Sequence, residues 1–81
     1  MLNQLRECAR VVGVKQVRRA LTQGRAKAVF LADDADPILT APLVAQAEQQ
    51  GLPVCRVTSM RELGRACGIP VGAAVAAMVR G

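Results

Sequence analysis

Ala28-Val29-Phe30-Leu31-Ala32-Asp33-Asp34-Ala35-Asp36-Pro37 passes from an unbroken apolar run to a cluster of carboxylates within one residue. The apolar run is short and bounded by charge, the pattern of a central strand covered on both faces. The Asp-Pro pair that follows reads as a helix or turn start, with the acid accepting backbone N–H groups and proline in the first position. Thr40 offers a second cap. Proline at position 42 is tolerated only within a first turn, so the spacing predicts the main helix from about Ala41 to Gln50, with Leu43, Val44 and Ala47 inward and Gly51 ending it.

Downstream, Val54-Cys55-Arg56-Val57 reads as a second strand. Ser59 with Glu62 three residues later forms a capping box, which predicts a helix from Met60 to Cys67 with Gly68 after it. The tail from Ala73 to Val79 has alanines that favour a helix, but its uniform apolarity and brevity suit a buried strand better, and a strand is expected. Upstream, Leu2, Leu5, Cys8, Ala9 and Val12 recur at helical spacing and predict an opening helix that ends near Arg10 to Val12, stopped by Gly13. Val14, Val17, Ala20 and Leu21 mark the inner face of the next helix, with Lys15, Arg18, Arg19 and Thr22 opposite and Gly24 as its C-terminal cap. Helices alternating with short apolar strands predict an α/β fold, a three-layer α/β/α sandwich around a small mixed sheet. At 81 residues the chain is a single domain, 1–81, without room for a second core.

A fold of this size buries about 60% of the surface its unfolded chain exposes. The 52% hydrophobic content is enough to fill that core. Phe30 is the one aromatic residue, which rules out nucleic-acid binding on a platform of stacked aromatic rings. The absence of histidine removes the commonest general base and a common metal ligand, and no hydroxyl or thiol has a base to activate it; no enzyme, cofactor or metal is expected. Cys8, Cys55 and Cys67 are odd in number and lack C-x-x-C spacing, so they read as small core residues in a reducing cytoplasm. Asn3, Gln4, Arg6 and Glu7 break any signal-peptide core, and no apolar run approaches the roughly 18 residues of a membrane span.

The net charge of +5 is unevenly placed. Residues 1–30 carry seven basic side chains and one acid, residues 31–55 four acids and no base, and residues 56–81 four bases and one acid. Folding this pattern gives one positive face, the electrostatic footprint of a polyanion binder.

Two segments could form the contact. In Gly13-Val14-Lys15-Gln16-Val17-Arg18-Arg19 a glycine permits close backbone approach, and the helix start behind it aims unpaired N–H groups at an anion. Lys15 and Arg19 could straddle phosphates while the Gln16 amide addresses a base edge; the plainer reading is a solvated basic helix face. In Gly68-Ile69-Pro70-Val71-Gly72-Ala73, apolar side chains stand between glycines where turns are usually polar. Ile69 suits the core, whereas Pro70 and Val71 could cup an unstacked base. Asp33, Asp34 and Asp36 lack the fixed spacing of a calcium loop and are better explained as caps.

Three motifs in this order, Gly13-x-Lys15-Gln16-x-x-Arg19, Ala32-Asp33-Asp34-Ala35-Asp36-Pro37 and Glu62-Leu63-Gly64-x-Ala66-Cys67-Gly68-Ile69-x-Val71, resemble the kink-turn-binding ribosomal proteins of the L-seven-Ae and L-thirty-e type, above all their short bacterial members. The likeness covers nearly the whole chain. It implies a three-layer α/β/α domain that binds a sharply bent RNA duplex with a short bulge and tandem sheared G·A pairs. It also implies that Gly13, Lys15, Gln16 and Arg19 read the opened groove, and that Ile69, Pro70, Val71 and Gly72 cover the bulged nucleotides; Val14 and Arg18 of the same basic segment are expected at the RNA as well, Arg18 on a phosphate. Many archaeal and eukaryotic members carry Asn-Glu and a later Lys where this chain has Lys15-Gln16 and Arg19; Gln16 accepts a guanine N–H without the charge assistance of a carboxylate. The expected protein is a monomeric, non-enzymatic RNA clamp, with ribosomal or other structured RNA and the ribosome as partners and no membrane. A protein-interaction module docking through Ile69 to Val71 is the rival.

Overall fold

The apolar run Ala28–Ala32 lies in β2 (Ala26–Ala32), and in the computed structural model, which describes residues 9–80, it is an inner strand. The remaining elements are β1 (Arg10–Val12), α1 (Val14–Thr22), α2 (Pro37–Gln49), β3 (Val54–Val57), α3 (Met60–Ala66) and β4 (Val75–Val79). The strand order is β1-β4-β2-β3. β2 and β3 are parallel, with Val29 opposite Val54, whereas β4 runs antiparallel to both β1 and β2, with Val12 opposite Ala76 and Leu31 opposite Val75. A register shift between Ala26 and Ala28 leaves Lys27 exposed on an otherwise buried strand.

The sheet separates two cores. On one face Ala28, Phe30, Ala76 and Met78 pack against Leu63 and Cys67 of the α3 side; on the other Val29, Val75 and Ala77 pack against Val17 and Leu21 of α1 and Leu43 and Ala47 of α2. The period-two alternation along β2 and β4 assigns successive side chains to opposite layers, so both strands are apolar throughout. The architecture is therefore the three-layer α/β/α sandwich with a mixed sheet that the sequence predicts. The tail is the strand β4, buried along its length.

Two boundaries differ from expectation. Arg10–Val12 is a strand rather than the end of a helix: Val11 and Val12 are β-branched, and pairing with β4 supplies hydrogen bonds that a three-residue helical remnant lacks. The rest of the predicted opening helix, residues 2–8, lies outside the described residues. The main helix starts at Pro37 rather than near Ala41. Asp36 Oδ1 accepts the Ile38 N–H at 2.9 Å, proline takes the first position, and Thr40 is buried in the first turn with its hydroxyl donating to the Asp36 carbonyl at 3.4 Å. Pro42 lies within this helix; it and Ile38, whose carbonyl would have accepted its missing N–H, are both exposed, so water can take that carbonyl.

The cap of α3 is present, with the Glu62 N–H donating to Ser59 Oγ at 3.0 Å and the Glu62 carboxylate accepting from the Thr58 hydroxyl. This helix ends at Ala66, one residue earlier than predicted. Cys67 is buried, as a small core residue should be; burial pushes its thiol above the ordinary value, and the Arg10 guanidinium pulls less strongly the other way. No helix among the described residues is long and apolar enough to cross a membrane.

Candidate nucleic-acid interface

The three helices begin in different ways. Asp36 caps α2; Ser59 caps α3, whose Met60 N–H also donates to Asp34 Oδ1 at 2.7 Å. At α1 the N-cap is Gly13, no side chain caps the first turn, and no acid stands in it. The unpaired first-turn N–H groups therefore face outward with the positive end of the helix dipole. Gly13 sits at φ 102°, ψ 154°, a region essentially confined to glycine, and a Cβ there would project into open space. The glycine both permits the turn and keeps the approach to the helix tip clear.

Lys15, Gln16, Arg18 and Arg19 are all exposed on α1, around a tip that a ligand backbone can reach. Lys15, Arg18 and Arg19 line a shallow depression with Thr22 and Gln23. Val14 is half-buried and packs against the core beneath α1, so its contribution to the surface is mainly its backbone.

The second predicted segment connects α3 to β4, and its course is fixed at several points. Arg10 donates through Nε to the Cys67 carbonyl at 2.9 Å and through a terminal nitrogen at 2.5 Å, occupying an acceptor that the end of α3 would otherwise leave open. The Ile69 N–H donates to the Gly64 carbonyl at 3.1 Å and the Ala73 N–H to the Met60 carbonyl at 2.9 Å. Between these anchors the chain crosses α3 so closely that a Cβ on Gly64 would lie 2.0 Å from the Val71 carbonyl oxygen. Ile69 is half-buried against the core, while Pro70, Val71 and Gly72 are exposed, Val71 at 66%.

One hydrogen bond ties the helix tip to the strand that the second segment leads into: the Gly13 N–H donates to the Val75 carbonyl at 2.9 Å, at the start of β4. The helix tip and the apolar loop thus meet at one end of the sheet, flanking the start of β4. The three carboxylates of the acidic turn are engaged elsewhere, Asp33 with Arg56 at 3.1 Å, Asp34 with Met60 and Asp36 with Ile38. Both partners of the Asp33–Arg56 pair are largely exposed, and such pairs add little stability.

Two features of this surface lie outside the predicted segments. Arg61 and Arg65 stand four residues apart on α3 and line a depression with Gly68, Ile69, Pro70, Val71 and Gly72. Their spacing alone could have placed them on one helix face. Gly64 stands in the third motif, but the reason for a glycine there is a contact seven residues away in sequence, which no local pattern shows.

The sequence profile of the Ribosomal protein L7Ae/L30e/S12e/Gadd45 family matches residues 4–81. The chain is 47% identical over 70 residues to an RNA-binding protein of Geobacillus sp. (strain WCH70), an alignment covering 86% of this chain and 85% of the relative. It is 46% identical over 70 residues, with the same coverage, to RNA-binding protein YbxF of Geobacillus stearothermophilus. Among solved structures, the Giardia lamblia 15.5kD RNA binding protein superposes with a TM-score of 0.89 at 30% identity, covering 99% of this chain and 71% of that one. A Bacillus halodurans protein of unknown function superposes with a TM-score of 0.85 at 25% identity, covering 99% and 84%. Sequence and fold agree, and the chain belongs to the Ribosomal protein L7Ae/L30e/S12e/Gadd45 family.

Proposed function

We propose that this protein is a cytoplasmic, monomeric RNA-binding protein without catalytic activity, and that it recognises and stabilises kink-turns in ribosomal or other structured RNA. The observation that carries the reading is an uncapped, glycine-led cationic helix tip fixed beside an exposed apolar loop by the Gly13–Val75 hydrogen bond. Relatives named as RNA-binding proteins support the ligand class.

A-form RNA hides its base edges in a deep, narrow groove, and a helix tip enters only where the duplex is sharply bent. In this reading the tip of α1 enters that opening, Gln16 addresses a base edge, and Lys15, Arg18 and Arg19 neutralise phosphates. Pro70 and Val71 cover bases that the bend has unstacked; Ile69 holds the loop down, and Gly72 allows its close return past Met60. Because this surface fits the bent form better, binding shifts the RNA population toward it.

A gel-shift titration of a kink-turn RNA against the same RNA with its G·A pairs replaced by Watson–Crick pairs tests the reading. Clear preference for the kink-turn is expected. Equal affinity for the two would overturn it.

A further inference from the structure

The depression beside the apolar loop has a cationic wall of its own, separate from the α1 cations. Arg61 and Arg65 are exposed, and neither has an acidic partner among the described residues. Residues four apart on a helix present their side chains as neighbours, so two guanidiniums overlook the same hollow. The rest of its lining is the loop from Gly68 to Gly72. The N–H groups of Gly68, Ile69 and Ala73 are engaged within the protein, at Arg65, Gly64 and Met60, whereas the Val71 and Gly72 N–H groups have no acceptor among the described residues. Two arginines and two free backbone donors around one hollow suit a singly charged tetrahedral anion, because guanidinium donates in a forked geometry matched to phosphate oxygens. The loop is tied at Cys67, Ile69 and Ala73, so the donors are already ordered before a ligand arrives.

We propose that Arg61 and Arg65, with the Val71 and Gly72 N–H groups, form a second anion subsite that takes phosphodiesters of the RNA strand leaving the apolar loop. The subsite rests on the RNA-binding reading above and extends it. The helix tip of α1 holds the RNA on one side of the loop and α3 on the other, so the exposed Val71 lies between two phosphate contacts rather than at the margin of one.

The experiment compares the full chain with Arg61→Gln/Arg65→Gln and a charge-matched control, Arg25→Gln/Lys27→Gln. The control residues are exposed near Ala26, which pairs with Val79 at the far end of β4 from Val75. Affinity for a fluorescent kink-turn RNA, and for its G·A-lacking counterpart, is measured over a series of salt concentrations, with thermal melting to confirm folding. The α3 variant should bind the kink-turn about tenfold more weakly, and its slope of log affinity against log salt should be shallower by about 1 to 2. The control should change little. An α3 variant that matches the control in slope and affinity, while the unaltered protein still prefers the kink-turn, overturns the subsite alone. Loss of kink-turn preference in the unaltered protein overturns the RNA reading and the subsite together.

Discussion

Gln16 and Arg19 occupy neighbouring turns of one exposed helix face yet should fail in different ways when replaced. An amide facing a base edge contributes discrimination, so Gln16→Ala should cost about 1 to 3 kcal/mol of kink-turn affinity and narrow the gap to mismatched RNAs. Arg19→Gln should weaken all RNAs alike and flatten the salt dependence; competition binding with sequence variants separates the two outcomes. Gly13→Ala places a Cβ at a backbone angle it resists, and denaturant unfolding should record a loss of about 1 to 3 kcal/mol. Cys67 has a raised thiol pKa from burial, so the unfolded chain releases this proton first, near the ordinary value of 9.0. Its stabilising contribution is whole below that pH and falls as pH rises toward the folded value. Urea unfolding should therefore show stability declining more steeply above pH 9.0 for the parent than for Cys67→Ala.

Among the elements, local chemistry was legible wherever it was self-contained. Ser59 and Glu62 announce their helix because the cap and the capped N–H lie within three residues, whereas Asp36 with Pro37 reads equally as a helix or a turn start. The apolar run at Ala28–Ala32 identifies a doubly covered strand on its own. What stayed hidden depended on a distant partner. β1 reads as part of a helical repeat because only its pairing with residues 76–78 makes it a strand, and Pro42 displaces the expected start of α2 because its exposure is not visible in the sequence. The tip at Gly13 and the loop at 68–72 could each be picked out by composition, but not the hydrogen bond that brings them together or the arginines of α3 beside them. The crossing at Gly64 gives a prediction at this scale. Gly64→Ala cannot coexist with the Val71 carbonyl in its present position, so the loop must lift while α3, whose helix an alanine favours, persists. Hydrogen exchange should show the Ile69 and Ala73 amides losing protection with little change in β2, and RNA affinity should fall.

For the whole molecule, charge and topology act together. Lys15, Arg18 and Arg19 of α1 and Arg61 and Arg65 of α3 stand by the helix tip and the loop before β4, with Arg25, Lys27 and Arg80 at the other end of β4, while the acidic turn spends its carboxylates on capping and on Arg56. β4 is the strand furthest along the chain, yet it lies between β1 and β2. During synthesis, therefore, every residue assigned to RNA contact leaves the ribosome before the segment that aligns them. A nascent chain ending before Val75 holds Gly13 and Val71 but has nothing to bridge them, and β2 presents a bare edge to other chains. On the proposed reading, a chain truncated after residue 74 should neither protect a kink-turn nor stay dispersed, whereas extension through residue 80 should restore both in one step.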